Sequence, residues 1–151
     1  MKPTKKQLKQ NVNNIIRKDY DENLEDIEII EMLNEFKDPA KVLALGKFLG
    51  LTLEETKELN ETNYDIIEHG SYEYLVLDDN EADQKWEESI ENYIDECILP
   101  ELPEFAKKYF DNEAFKRDAS FDGRGHSLAS YDGVENEQIS NNETYYIYRV
   151  N

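Results

Sequence analysis

The stretch 118–137 (DASFDGRGHSLASYDGVENE) gathers the residue types most able to do chemistry in this chain. Asp122, Arg124, His126, Ser127 and Asp132 stand there among three of the six glycines. Asp122, His126 and Asp132 could ligate a divalent metal through oxygen and imidazole donors. Gly123-Arg124-Gly125 could cradle a phosphate with backbone amides and a guanidinium. Ser127 beside His126 and an acid has the parts of a nucleophilic triad. None of these comes with a nucleophile elbow, paired histidines or P-loop spacing. The plainer reading is two Asp-Gly turns flanking a hairpin strand, with Arg124 paired to a local acid. A small metal- or phosphate-binding enzyme centred on Asp122, Arg124 and His126 is therefore the alternative reading. The leading one is non-enzymatic, with no cofactor or metal expected.

A second constellation is electrostatic. Residues 81–98 carry Ala82, Trp86, Ile90, Tyr93, Ile94, Cys97 and Ile98 at helical spacing, one apolar stripe. The remaining faces carry Glu81, Asp83, Glu87, Glu88, Glu91, Asp95 and Glu96, against a single Lys85. Eighteen residues at ~1.5 Å rise span roughly 27 Å, so the net of −6 amounts to about one charge per 4.5 Å. One DNA strand carries a charge per ~3.4 Å, so the two line densities are comparable. Those seven carboxylates are the expected partner-binding residues. An ordinary solvated helix face would show the same pattern on a smaller scale.

The excess is not local. Acidic side chains outnumber basic ones 35 to 17 over the 151 residues, a net charge of −18. Residues 1–18 hold six basic groups and no acid, which leaves 11 basic and 35 acidic groups in 19–151, a net of −24. Such a body repels nucleic acid, anionic membranes and free phosphates, and it attracts a partner with a positive groove. The single Cys excludes an internal disulfide and a thiolate metal cage. No apolar run approaches the ~20 residues that span a bilayer, and the N-terminal lysines precede no apolar core. The expectation is a cytoplasmic protein without direct membrane or nucleic-acid binding.

The elements that must position these residues follow from periodicity and caps. Leu8, Val12, Ile15 and Ile16 predict a basic amphipathic helix or arm over 1–18. Leu24, Ile27, Ile30, Leu33 and Phe36 predict a helix over 24–36. Asp38-Pro39 opens the next helix and Gly50 ends it. Thr52 and Glu55 form a capping box for a short fourth. The pair of helices in 40–59 resembles a helix-turn-helix in outline, but its second helix carries Glu54, Glu55 and Glu58, which repel phosphates. Residues 71–77 (SYEYLVL) predict a strand, with His69 in the loop before it. Short helices are expected near 104–110 and 112–119, and strands near 127–131 and 144–150 around an acidic loop. The fold class is α+β: a helical N-terminal half, then a small mixed sheet packed with the acidic amphipathic helix. The segments are a basic arm (1–18), a helical subdomain (19–66) and an acidic α+β domain (67–151).

Leu102-Pro103, Tyr109-Phe110-Asp111, Ala114-Phe115 and Arg117-Asp118 occur in one ungapped run. This run resembles the C-terminal part of ArdA-type antirestriction proteins. A looser similarity begins at residue 64, with an Ile-rich stretch, a strand and an acidic helix containing Tyr93-Ile94-Asp95-Glu96. The family are acidic DNA mimics of phages, plasmids and transposons that occupy the DNA groove of type I restriction–modification enzymes. They are typically elongated homodimers, which leaves a homodimer open here. The resemblance carries over no catalytic residue, and it implies that Pro103, Tyr109, Phe115, Arg117 and Asp118 mostly hold the fold. After Asp118 the chain departs from the pattern: 121–143, with FDGRGH, replaces a short tail. The usual N-terminal domain gives way to the basic arm and helices. The partner is thereby expected to be a host nuclease or methyltransferase with a basic groove, in a restriction–modification, CRISPR or other defence system.

Overall fold

The computed structural model describes residues 25–62 and 65–151. The basic segment 1–18, its expected helix and the acids up to Glu22 lie outside the described residues. Among the described residues three helices precede the sheet: α1 (Asp26–Met32), α2 (Pro39–Leu49) and α3 (Leu53–Lys57). The helix expected over 24–36 is shorter, because the chain turns at Leu33 and must leave helical geometry before Pro39. Leu33 nevertheless stays fully buried and Phe36 packs beside it. Asp38 caps α2 by accepting from the Lys41 N–H, and Gly50 closes it at φ 69°. The Thr52–Glu55 capping box forms as expected.

A five-stranded sheet follows: β1 (Asn60–Glu61), β2 (Ile66–His69), β3 (Tyr72–Asp78), β4 (Asn136–Ser140) and β5 (Glu143–Arg149), in the order β1-β2-β3-β5-β4. Every pairing is antiparallel, where a mixed sheet was expected. Hairpin connections suffice for β1-β2, β2-β3 and β4-β5, and the long helical excursion between β3 and β4 returns the chain without a parallel pair. His69 is the last residue of β2, paired with Tyr72 across a turn at Gly70, rather than a loop residue.

The residues of β3 explain the layering. Tyr74 and Val76 face one way, Leu75 and Leu77 the other, and all four are buried. A strand covered on both faces reads as a continuous apolar run. On one side, Tyr74, Val76, Tyr145 and Ile147 join Ile29, Leu33 and the α2 residues Val42–Leu45 in the larger core. On the other, Leu75, Leu77 and Tyr148 meet Ala82 and Ala129. The protein is thus an α+β fold in three layers, α1–α3, sheet, then the helices after β3. The segments 19–66 and 67–151 share the first core.

The last layer starts with α4 (Asp79–Tyr93), which continues into a π-turn at Ile94–Ile98 and a 3₁₀ turn at Leu99–Glu101. Then come α5 (Glu104–Lys107), α6 (Asn112–Ser120) and α7 (Arg124–Leu128). The strand expected near 127–131 is instead the end of α7 followed by a turn, and the expected acidic loop contains β4. The reason lies in β4 itself. Ser140 is buried while Ile139 is 67% exposed, so its burial runs opposite to its hydrophobicity. The Asn141-Asn142 turn, with both residues at positive φ, sets that register instead. No helix among the described residues is long and apolar enough to cross a membrane.

Candidate functional site

The acidic helix α4 begins in a capping box. The Asp78 carboxylate accepts from the Glu81 N–H at 2.8 Å, and Glu81 accepts from the Asp78 N–H at 3.1 Å. The other Glu81 oxygen accepts from Lys41 Nζ at 2.8 Å. Lys41 is 5% exposed and also reaches Asp65 at 3.1 Å. Burial alone would push the Lys41 ammonium down; the hydrogen bonds and charges of Glu81 and Asp65 outweigh it and hold it above its ordinary value. Glu81 therefore joins α4 to the helices across the sheet.

Arg124 anchors the same end of α4. Its Nη1 donates to Asp79 Oδ1 and Asp83 Oδ1, each at 2.9 Å, and its Nε donates to Glu135 Oε1 at 2.7 Å. The guanidinium lies 4.4 Å from the centre of the Tyr146 ring. Desolvation disfavours its charge, but Glu135 and Asp79 more than compensate and raise its pKa. Tyr148, buried and donating to Glu135, is pushed well above the ordinary phenol range by that burial and by the hydrogen bond. Further along, Glu91 accepts from Lys116 Nζ of α6 at 2.6 Å, and that hydrogen bond holds the lysine above its ordinary value.

The seven carboxylates singled out on this helix thus divide. Glu81, Asp83 and Glu91 are engaged in the internal ion pairs just described. Glu87, Glu88, Asp95 and Glu96 are exposed, and no lysine or arginine among the described residues lies within ion-pair distance of them. Glu88 accepts only from Gln84, at 3.3 Å. The free run is about half the expected length, roughly 13–14 Å from residue 87 to 96. The π-turn displaces its last two members, since a wider turn rotates the following residues out of the α-helical register. The same rotation leaves Cys97 exposed, where the stripe predicted burial.

A second set of acids, Glu25, Glu28, Glu31 and Glu35, is exposed on and around α1. It belongs to the layer across the sheet from α4. A groove that closes on α4 does not meet it on the same face.

The loop residues also divide. Asp122 and His126 line an open groove between α4, α6 and α7, and Arg124 is not among its lining residues. Asp132 instead accepts from the Val134 N–H at 3.0 Å, closing its own turn. Among the described residues no three His, Cys, Asp or Glu side chains converge to hold a metal ion. Of the Gly123–Gly125 turn, Gly125 is packed, since a Cβ there would sit 2.7 Å from Glu135 N and from Gly133 O, while Gly123 has open space beside it. Arg124 paired to acids, as the plainer sequence reading had it, but to distant Asp79 and Asp83 as well as Glu135.

The motif residues do not hold the fold as the resemblance implied. Of the five residues expected to hold it, Pro103, Arg117 and Asp118 are exposed, Tyr109 is 75% exposed, and Phe115 is partly buried, as are Leu102, Phe110 and Ala114 of the same run. The α5–α6 excursion packs on α4 through Phe115 and Lys116 and leaves the exposed side chains facing outward. No protein-family model, curated protein or solved structure matches the chain.

Proposed function

We propose that the protein is a non-enzymatic inhibitor of a host defence enzyme, of the kind carried by phages and mobile elements, acting in the host cytoplasm as a DNA mimic. Glu87, Glu88, Asp95 and Glu96 stand in for phosphates in the basic groove of a restriction–modification or CRISPR nuclease or methyltransferase. The observation that carries this reading is the set of exposed carboxylates without an ion-pair partner among the described residues, Glu87 and Glu88 on α4 and Asp95 and Glu96 on the π-turn that continues it, in a molecule of net charge −18. The resemblance of 102–118 to ArdA-type proteins supports the same class of partner. The acids of α1 supply long-range attraction instead of direct contacts.

The test uses a purified type I restriction–modification enzyme and a labelled DNA duplex. The protein is expected to displace the DNA, and its own affinity is expected to fall by up to about 10²-fold between ~50 and ~200 mM salt, as four phosphate-like contacts require. Converting Glu87, Glu88 and Glu96 to Gln and Asp95 to Asn together removes most of that salt dependence. Inhibition that ignores both salt and the fourfold variant would rule out mimicry through this face.

A further inference from the structure

The groove between α4, α6 and α7 has a volume of about 380 Å³. Ile90, Tyr93, Phe115 and Ala119 supply its apolar part, and Asp122 and His126 are exposed at its edge. The Tyr93 and Phe115 rings lie nearly parallel, 6.1 Å between centres, while Tyr93 remains 51% exposed. The aromatic pair is therefore only partly covered. Among the described residues Asp122 is the groove's only carboxylate, and no lysine or arginine lines it.

We propose that this groove receives an arginine side chain of the cationic partner, an inference that rests on the proposed function. A flat guanidinium can lie on the Tyr93–Phe115 surface while donating to Asp122, and its weak hydration lets it enter an apolar groove. An ammonium is compact, strongly hydrated and matches a ring face less well. An anion is disfavoured by Asp122 and by the surrounding net charge. A second copy of this chain meets the same repulsion. Two of the molecule's own arginines lie on tyrosine rings, and one of them also pairs with carboxylates. Arg124 sits 4.4 Å from the Tyr146 ring centre between carboxylates, and Arg149 sits 3.7 Å from that of Tyr131. The groove offers the same surroundings with the guanidinium to be supplied by another molecule.

The test is an NMR titration of the full chain with the capped peptide acetyl-Gly-Arg-Gly-amide. The same peptide with citrulline, and with lysine, in place of arginine serves for comparison. The arginine peptide is expected to shift signals of Tyr93, Phe115 and His126. Citrulline, which keeps the shape without the charge, is expected to bind at least about tenfold more weakly. Asp122→Asn, which keeps the turn chemistry, and Phe115→Leu are each expected to weaken the arginine peptide about tenfold. Equal affinity for citrulline, or shifts confined to Glu87, Glu88 and Asp95, would overturn the proposal. No nuclease is needed for this measurement. Groove binding without nuclease inhibition would count against the proposed function alone, and inhibition with an idle groove would count against this inference alone.

Discussion

A methyl group added at Gly46 would lie 2.5 Å from Thr56 Oγ1 and 2.9 Å from its Cγ2. Gly→Ala within a helix ordinarily stabilises by roughly 0.5–1 kcal/mol. Here the sign reverses, because Thr56 is fully buried and its hydroxyl is fixed by donating to the Thr52 carbonyl at 2.7 Å. Gly46→Ala is expected to cost about 1–3 kcal/mol in urea unfolding. Gly46→Ala with Thr56→Ala is expected to cost less than the sum of the two single changes, since removing the hydroxyl and methyl makes room. At this scale residue types are legible along the chain and their partners are not. Arg124 was legible as an ion-pairing residue. That it would reach Asp79 and Asp83, more than forty positions earlier, was not, because only the packing of α7 on α4 brings them together.

The helix α4 shows what local chemistry can specify. Asp78 and Glu81 stand three apart before an apolar stripe, and their capping box is legible in that spacing alone. What the spacing does not reveal is that Glu81 also holds the buried Lys41. Glu81→Gln is therefore expected to destabilise the protein by about 1–3 kcal/mol, as a buried cation loses a charged partner. Glu88→Gln on the same helix is expected to stay within about 0.5 kcal/mol, for want of any cation. Equal effects in thermal or urea unfolding would disprove the division of these carboxylates into structural and free. The strand β4 shows the opposite case. Its apolar Ile139 points outward and its polar Ser140 inward, so hydrophobic alternation gives no correct signal. The Asn141-Asn142 turn was the one cue available.

At the scale of the molecule, three buried groups, Lys41, Tyr145 and Tyr148, share one direction. Lys41 sits above its ordinary value despite desolvation, and Tyr145 and Tyr148 are pushed above theirs by burial and by their carboxylate partners. A group whose pKa is raised by folding stabilises the folded state fully below its unfolded value. That contribution disappears as pH climbs through the folded value. All three unfolded values lie at about 10–10.4. Stability is expected to be unaffected by these groups up to about pH 10 and to fall steeply above it. Denaturant midpoints measured from pH 7 to 11 would check this, and a midpoint that rises above pH 10 would contradict it. The three-layer arrangement also decides which charges act together. The sheet lies between the exposed acids of α1 and those of α4, so the two act on different faces.

The sequence by itself determined the net charge, the α+β class, the caps of α2, α3 and α4 and most of the stripe that seats α4. These depend on composition or on residues a few positions apart. Only the tertiary structure decided which carboxylates are engaged and which are free. It also parted Asp122 and His126 from Arg124, and placed the motif around Tyr109 on the outside. Such outcomes depend on which distant cation or layer a side chain meets, and charge pairing through space leaves no periodic trace along the chain.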